Sequence, residues 1–205
     1  MNMETQQSET LLLPQEVLLS AGVHIGTRVK TKDMLQFIYK VRPDGLFVLD
    51  MDQMNERVKT TAKFISRMDI SRVAVASSKR YGRLPIHKFC EVTGAHPLIA
   101  RFTSGTFTNP TYSHYFEPVA VIVTDALADQ QIVVEAAAVG VPVIALCSTD
   151  NNLSNVDLVI PINNKGRRSL AIAYWLLARQ LKRELKELTP EQEFSVSIDD
   201  FESKM

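Results

Sequence analysis

Four short stretches of this chain are apolar almost from end to end: RVAVAS at 72–77, PVAVIVTD at 118–125, VPVIALC at 141–147 and VDLVIPI at 156–162. A strand with one face in water alternates apolar and polar residues. These do not alternate, so each is read as a strand buried on both faces, as in a parallel sheet covered on both sides by helices. Helical patterns at 85–92, 129–139 and 166–188 separate or follow them, and PLIARF at 97–102 supplies a shorter fifth strand. The expected fold class is α/β: a three-layer sandwich with about five parallel strands.

Before this core, residues 14–21 carry a short helical pattern that starts at Pro14 and stops at Gly22. FIYKVRPDGLFVLD at 37–50 predicts a small N-terminal hairpin, because Pro43-Asp44-Gly45 has ready turn chemistry. Met54, Val58, Ala62, Ile65 and Met68 recur at three- and four-residue steps, which is one face of a helix over 52–68. The division expected is a mobile acidic N-terminal tail at 1–13, one domain at 14–188, and an acidic flexible tail at 189–205 that lacks a clear period.

The net charge of zero conceals segregation. Residues 24–110 hold fifteen Lys or Arg against seven Asp or Glu, residues 111–160 hold six acids and no base, and residues 161–189 hold seven bases against two acids. Residues 190–205 return to five acids against one lysine. Such blocks predict a molecule with one basic face. Two lone cysteines, Cys90 and Cys147, make no disulfide framework and suit a reducing cytoplasm. No apolar run reaches the ~20 residues that span a bilayer, and the polar N-terminus is unlike a signal peptide.

In a parallel sheet, ligands meet the carboxyl ends of the strands. The first such end reads SSKRYGR at 77–83, with Lys79, Arg80, Tyr81 and Arg83. It has one glycine where the dinucleotide and mononucleotide phosphate loops need two or three. Cations without a cage favour a sugar–phosphate backbone over a bound nucleotide. Asp125, at another strand end, is either a general base or metal ligand, or a plain helix N-cap or turn carboxylate before ALADQQ; the plain reading is preferred. Cys147 has no histidine after it and reads as a small buried hydrophobe. The four histidines are scattered, so no metal site, cofactor site or catalytic set is expected.

The segment ARFTSGTFTNPTY at 100–112 combines Arg101 with short donors, Thr106 and Asn109 among them, and with Phe102, Phe107 and Tyr112. This chemistry suits the phosphates and 2′-hydroxyls of folded RNA. The aromatic rings either stack on bases or anchor the loop to the core, and composition does not decide between the two. NNKGRRS at 163–169 places Lys165, Arg167 and Arg168 at a helix start, where the helix dipole favours negative charge. An external anion such as an RNA phosphate resolves that conflict.

Taken with AGVHIGTRVKTKDM at 21–34, FIYKVRPDG at 37–45, GAHPLIARFTSGTFTNP at 94–110, VIVTDALADQQ at 121–131, VPVIALCSTDN at 141–151, NVDLVIPINNKGRRSLA at 155–171 and YWLLAR at 174–179, these segments resemble a known family in its own order. It is the small-subunit ribosomal protein "two" family, in the branch shared by archaeal ribosomes and the eukaryotic laminin-receptor-like protein. The resemblance spans about 15–186 and lacks the coiled-coil insertion of bacterial members. It implies a flavodoxin-like core with no catalysis and no cofactor. It also implies a structural constituent of the small ribosomal subunit in the cytoplasm, which supports translation and binds ribosomal RNA and neighbouring ribosomal proteins. Carried over by position, the RNA-facing residues are Arg28, Lys30, Lys32, Lys79, Arg80, Tyr81, Arg83, Arg101, Thr106, Asn109, Asn163, Asn164, Lys165, Arg167 and Arg168. Two departures stand out: TDALADQQ where relatives usually read TDPRADHQ, and RFTSGT where they read RFxPGT. The first removes a cation from an acidic region, so no RNA contact is assigned there. A flavodoxin-like nucleotide-binding module or enzyme is the alternative, and it lacks a phosphate cradle.

Overall fold

A computed structural model describes residues 12–189, 192 and 194–203. Most of the expected N-terminal tail, and residues 190, 191, 193, 204 and 205 of the C-terminal one, lie outside the described residues. The elements run α1 (Gln15–Ser20), β1 (Ile38–Val41), β2 (Phe47–Leu49), α2 (Met51–Ile65), β3 (Val73–Ser77), α3 (Arg83–Thr93), β4 (His96–Ile99), β5 (Ala120–Val123), α4 (Gln130–Ala138), β6 (Val143–Cys147), β7 (Leu158–Pro161), α5 (Arg167–Glu184) and α6 (Ile198–Phe201).

The apolar runs form one five-stranded sheet in the order β4-β3-β5-β6-β7, and every pairing in it is parallel. This is the doubly wound order of flavodoxin-like proteins. All residues of β3, β5 and β6 are buried, which is why those runs do not alternate. Their side chains still divide by period two. Val73, Val75, Ile122 and Ile144 face the layer of α2, α3 and α5. Ala74, Ala76, Val121, Val123 and Val143 face the other side.

Among the described residues that other side holds one helix, α4, and no helix joins β4 to β5. The loop between them takes a helix's place, with Phe107 buried against Ile132 and Val133 of α4 and Phe102 packed beside it. The Glu135 carboxylate on α4 accepts the N–H groups of Gly105 (2.8 Å) and Phe107 (3.4 Å), which pins the loop to the helix. Phe107 therefore anchors the loop and is unavailable for base stacking.

The hairpin forms around Gly45, whose φ of +81° suits glycine. The register shifts between Ile38 and Lys40, a bulge that leaves Tyr39 71% exposed. Leu170, Ala173, Tyr174, Leu177 and Leu181 recur at three- and four-residue steps and predict one buried face of α5, but the helix is buried more widely. Ser169 to Ala178 are all buried, Trp175 included. The second cover is the described part of the C-terminal segment. Phe194 packs edge-on to Trp175, the Val196 carbonyl accepts the Trp175 Nε1–H at 2.7 Å, and Phe201 is wholly buried against the core. Burying a phenylalanine contributes about 1.5–3 kcal/mol, which opposes the mobility expected of an acidic tail. A capping box between Ser197 and Asp200 starts the turn of α6 that delivers Phe201.

Candidate nucleic-acid interface

All the basic loops singled out in the sequence meet at the carboxyl edge of the sheet, but they divide into an inner knot and an outer rim. The knot lies where the strand order reverses, between β3 and β5, which is where a doubly wound fold opens a ligand crevice. Lys79 Nζ pairs there with Asp125 Oδ2 and also donates to the Asn164 carbonyl at 3.4 Å. Asp125 Oδ1 accepts from Asn151 Nδ2 (2.6 Å) and from the Leu127 N–H (2.9 Å). Asn164 Nδ2 in turn bonds the Leu146 carbonyl and Asn151 Oδ1, at 3.0 and 3.2 Å. Thr124 closes the floor through the Tyr174 hydroxyl at 2.8 Å.

The first two amides of the loop after β3 are already used. The Ser78 N–H donates to the buried Asp129 carboxylate at 2.9 Å, and the Lys79 N–H donates to Ser77 Oγ at 3.1 Å. Gly82 completes the closure, because a Cβ there would stand 2.5 Å from Ser77 Oγ. Asp129 and the Lys79–Asp125 pair thus fill the crevice from within. Burial works against the Asp125 charge, but Lys79, Asn151 and the Leu127 N–H outweigh it and hold its pKa below the ordinary value. Asp129 is pushed up, chiefly by burial. Of the two plain readings Asp125 is the turn carboxylate, since Asp129 and not Asp125 occupies the N-cap position of α4, and no short-range pattern indicated its lysine partner. Cys147 is buried in the sheet, and burial foremost, with Asp125 and Asp150, raises its pKa well above that of a reactive thiol.

The rim is built differently. Residues 27–32 cross the loop after β6. Thr27 and Thr31 turn inward, where Thr27 Oγ1 meets Thr149 Oγ1 at 3.0 Å and Thr31 Oγ1 donates to the Asn151 carbonyl at 2.8 Å. Gly26 permits this approach, since a Cβ there would lie 2.5 Å from Thr149 Cγ2. With Thr27 and Thr31 anchored inward, Arg28, Lys30 and Lys32 face solvent, as does Val29 between them; Lys30 rests over the Phe47 ring at 5.0 Å. Arg80, Tyr81 and Arg83 stand exposed at the tight turn Arg80–Gly82 and the start of α3. Arg101 and Arg168 are exposed as well. Among the described residues, Arg28, Lys32, Arg80, Arg83, Arg101 and Arg168 have no carboxylate in ion-pair range.

The remaining sequence candidates have partners inside the protein. Lys165 pairs with Asp150, and Arg167 with Glu202 of the C-terminal segment at 2.7 Å. Those carboxylates supply the anions that the start of α5 requires. Asn163 bonds the Gly22 carbonyl and accepts the N–H groups of Lys165 and Gly166. Thr106 is buried on the Thr103 carbonyl, and Asn109 caps its own turn through Thr111. Asn151, Thr149 and Asp129 order the edge and were not singled out by sequence, because their partners lie dozens of residues away or more.

Comparison with known proteins places the chain among relatives. The family described as ribosomal protein S2 matches residues 112–183. The chain is 48% identical over 195 residues to the small ribosomal subunit protein uS2 of Thermofilum pendens, covering 95% of this chain and 91% of that protein. It is 48% identical over 201 residues to uS2 of Staphylothermus marinus, with 98% and 91% covered. Against uS2 of Nitrosopumilus maritimus the identity is 45% over 201 residues, with 98% and 97% covered.

Proposed function

The chain belongs to the ribosomal protein S2 family, and on that premise we propose that it acts as a structural constituent of the small ribosomal subunit in the cytoplasm, holding ribosomal RNA without performing catalysis. One observation carries the reading beyond family membership: the ligand crevice of the fold is filled by the protein's own Lys79–Asp125 pair and Asp129, while outside it Arg28, Lys30, Lys32, Arg80, Arg83, Arg101 and Arg168 have no carboxylate in ion-pair range among the described residues. A nucleotide-binding module needs the reverse arrangement.

The RNA-facing set is Arg28, Lys30, Lys32, Arg80, Tyr81, Arg83, Arg101 and Arg168. Lys79, Thr106, Asn109, Asn163 and Asn164 hold the loops that present them. Lys165 and Arg167 reach RNA only by leaving Asp150 and Glu202. Contacts of this kind displace counterions from phosphate, so binding weakens steeply with salt. Neighbouring ribosomal proteins are the second class of partner. Sedimentation of the native protein from lysate at low and moderate salt tests the assignment. Co-migration with small subunits is expected, and migration only as free protein at every salt would overturn it.

A further inference from the structure

Resting on that reading, we propose that the cleft between β4 and the loop that follows it receives a single unstacked RNA nucleotide, its base held by Tyr112 and His114 and its phosphate by Arg101. The cleft has a volume of about 270 Å³ and is lined by Arg101, Thr103, Thr106, Tyr112, His114 and His96, among others. That is smaller than the roughly 300–1,000 Å³ of pockets that enclose whole small molecules, and suits one planar ring.

Three features favour a nucleotide over a polypeptide. First, no carboxylate lines the cleft, whereas one arginine and two histidines do. The larger hollow beside the hairpin, about 520 Å³, has Asp50 and Asp52 in its wall. Second, the walls are preformed. Glu135 and the buried Phe107 fix the loop, and Phe116 stacks on His96 with centroids 4.2 Å apart, so two rings of this region are already committed. Tyr112 and His114 meet edge-on at 5.6 Å, and His114 remains exposed beside half-buried Tyr112. Third, Pro97 lies on the outermost strand and lacks the N–H with which a partner strand would pair. Ala100 has a φ of +79°, a conformation costly for a residue with a side chain, and it turns the chain out of β4 so that Arg101 stands at the cleft mouth. Aromatic faces, a guanidinium and short hydroxyls are the set with which proteins hold splayed-out bases.

The test is titration of a small-subunit rRNA transcript with wild-type protein and with Tyr112→Leu, His114→Ala and Arg101→Gln, at several salt concentrations. Unfolding midpoints are checked for each. Tyr112→Leu keeps apolar bulk but no ring, and is expected to weaken binding roughly 5- to 150-fold with the salt slope unchanged. Arg101→Gln is expected to lower the slope by about 0.7. Ultraviolet irradiation of the wild-type complex should crosslink Tyr112 or His114 to one base. Wild-type affinity in both ring variants, while Arg28→Ala with Lys32→Ala still lowers the slope, overturns the cleft and leaves the RNA reading standing. Crosslinks from Tyr112 to a neighbouring protein in intact subunits also overturn it. Failure of wild-type protein to bind the transcript in a salt-dependent way removes both.

Discussion

Lys79 and Arg80 are neighbours in the chain, in the same basic loop, and they belong to different parts of the molecule. Lys79 turns in to a carboxylate that is 5% exposed, while Arg80 turns out to solvent. The knot around Asp125 and the rim around it use the same residue types to opposite ends: one neutralises charge to hold the loops after β3, β5, β6 and β7 together, the other leaves charge unneutralised where a polyanion can reach it. The lesson is that a cation's role at this edge is set by whether a carboxylate on another strand end faces it.

The largest effect that would separate the two regions is on stability. Asp125→Ala leaves the Lys79 ammonium without its partner and strips Asn151 and the Leu127 N–H of an acceptor. Breaking such a pair costs roughly 3–5 kcal/mol, and since Lys79 keeps some solvent contact the lower end is expected, as a reduced denaturant midpoint. Arg80→Ala should leave that midpoint nearly unchanged.

Acid titration of stability gives a smaller and more detailed contrast. Asp125 has a depressed folded pKa, so its contribution is fully present above the unfolded value of roughly 3.9 and is lost as pH falls through the lower folded value. Asp129 has a raised folded pKa, so its buried charge costs stability above that value, and the cost is relieved as pH falls through it. Unfolding curves of Asp129→Asn should lack the mildly acid relief, and those of Asp125→Asn should lack the deeper acid loss. Identical pH profiles for both variants would break the distinction.

The smallest effect concerns the C-terminal segment. Arg167 and Glu202 are each partly exposed, so Glu202→Gln should cost at most about 1 kcal/mol. It should nevertheless release Arg167 to the rim, and RNA affinity at low salt should rise slightly, with a slope steeper by up to about 0.9.

Much of this was legible in the chain. Strands that are apolar throughout specify a parallel sheet by themselves, and the helix steps of Met54, Val58, Ala62 and Ile65 hold for α2. The basic loops were legible as loops. Their partners were not: Lys79 and Asp125 are far apart in sequence, and no local period connects them. Phe201 was hidden for another reason. The segment around it is acidic and has no helical repeat, and it folds because Trp175 and its neighbours on α5 offer an apolar surface that the spacing of α5 did not reveal. Phe107 could not be assigned between base and core from composition, since both uses call for an aromatic ring in a loop.

The central claim is that the rim, and not the knot, grips phosphate. The most direct measurement is the salt dependence of rRNA binding for two multiple variants, with Arg28, Lys32, Arg80 and Arg83 changed to Gln in one, and Lys79→Met with Asp125→Asn in the other. The rim variant should lose a slope of roughly three, about 0.7–0.9 for each phosphate contact, while the knot variant keeps the wild-type slope as long as it is folded. A folded knot variant that loses as much slope as the rim variant, or a rim variant that loses none, would contradict the account.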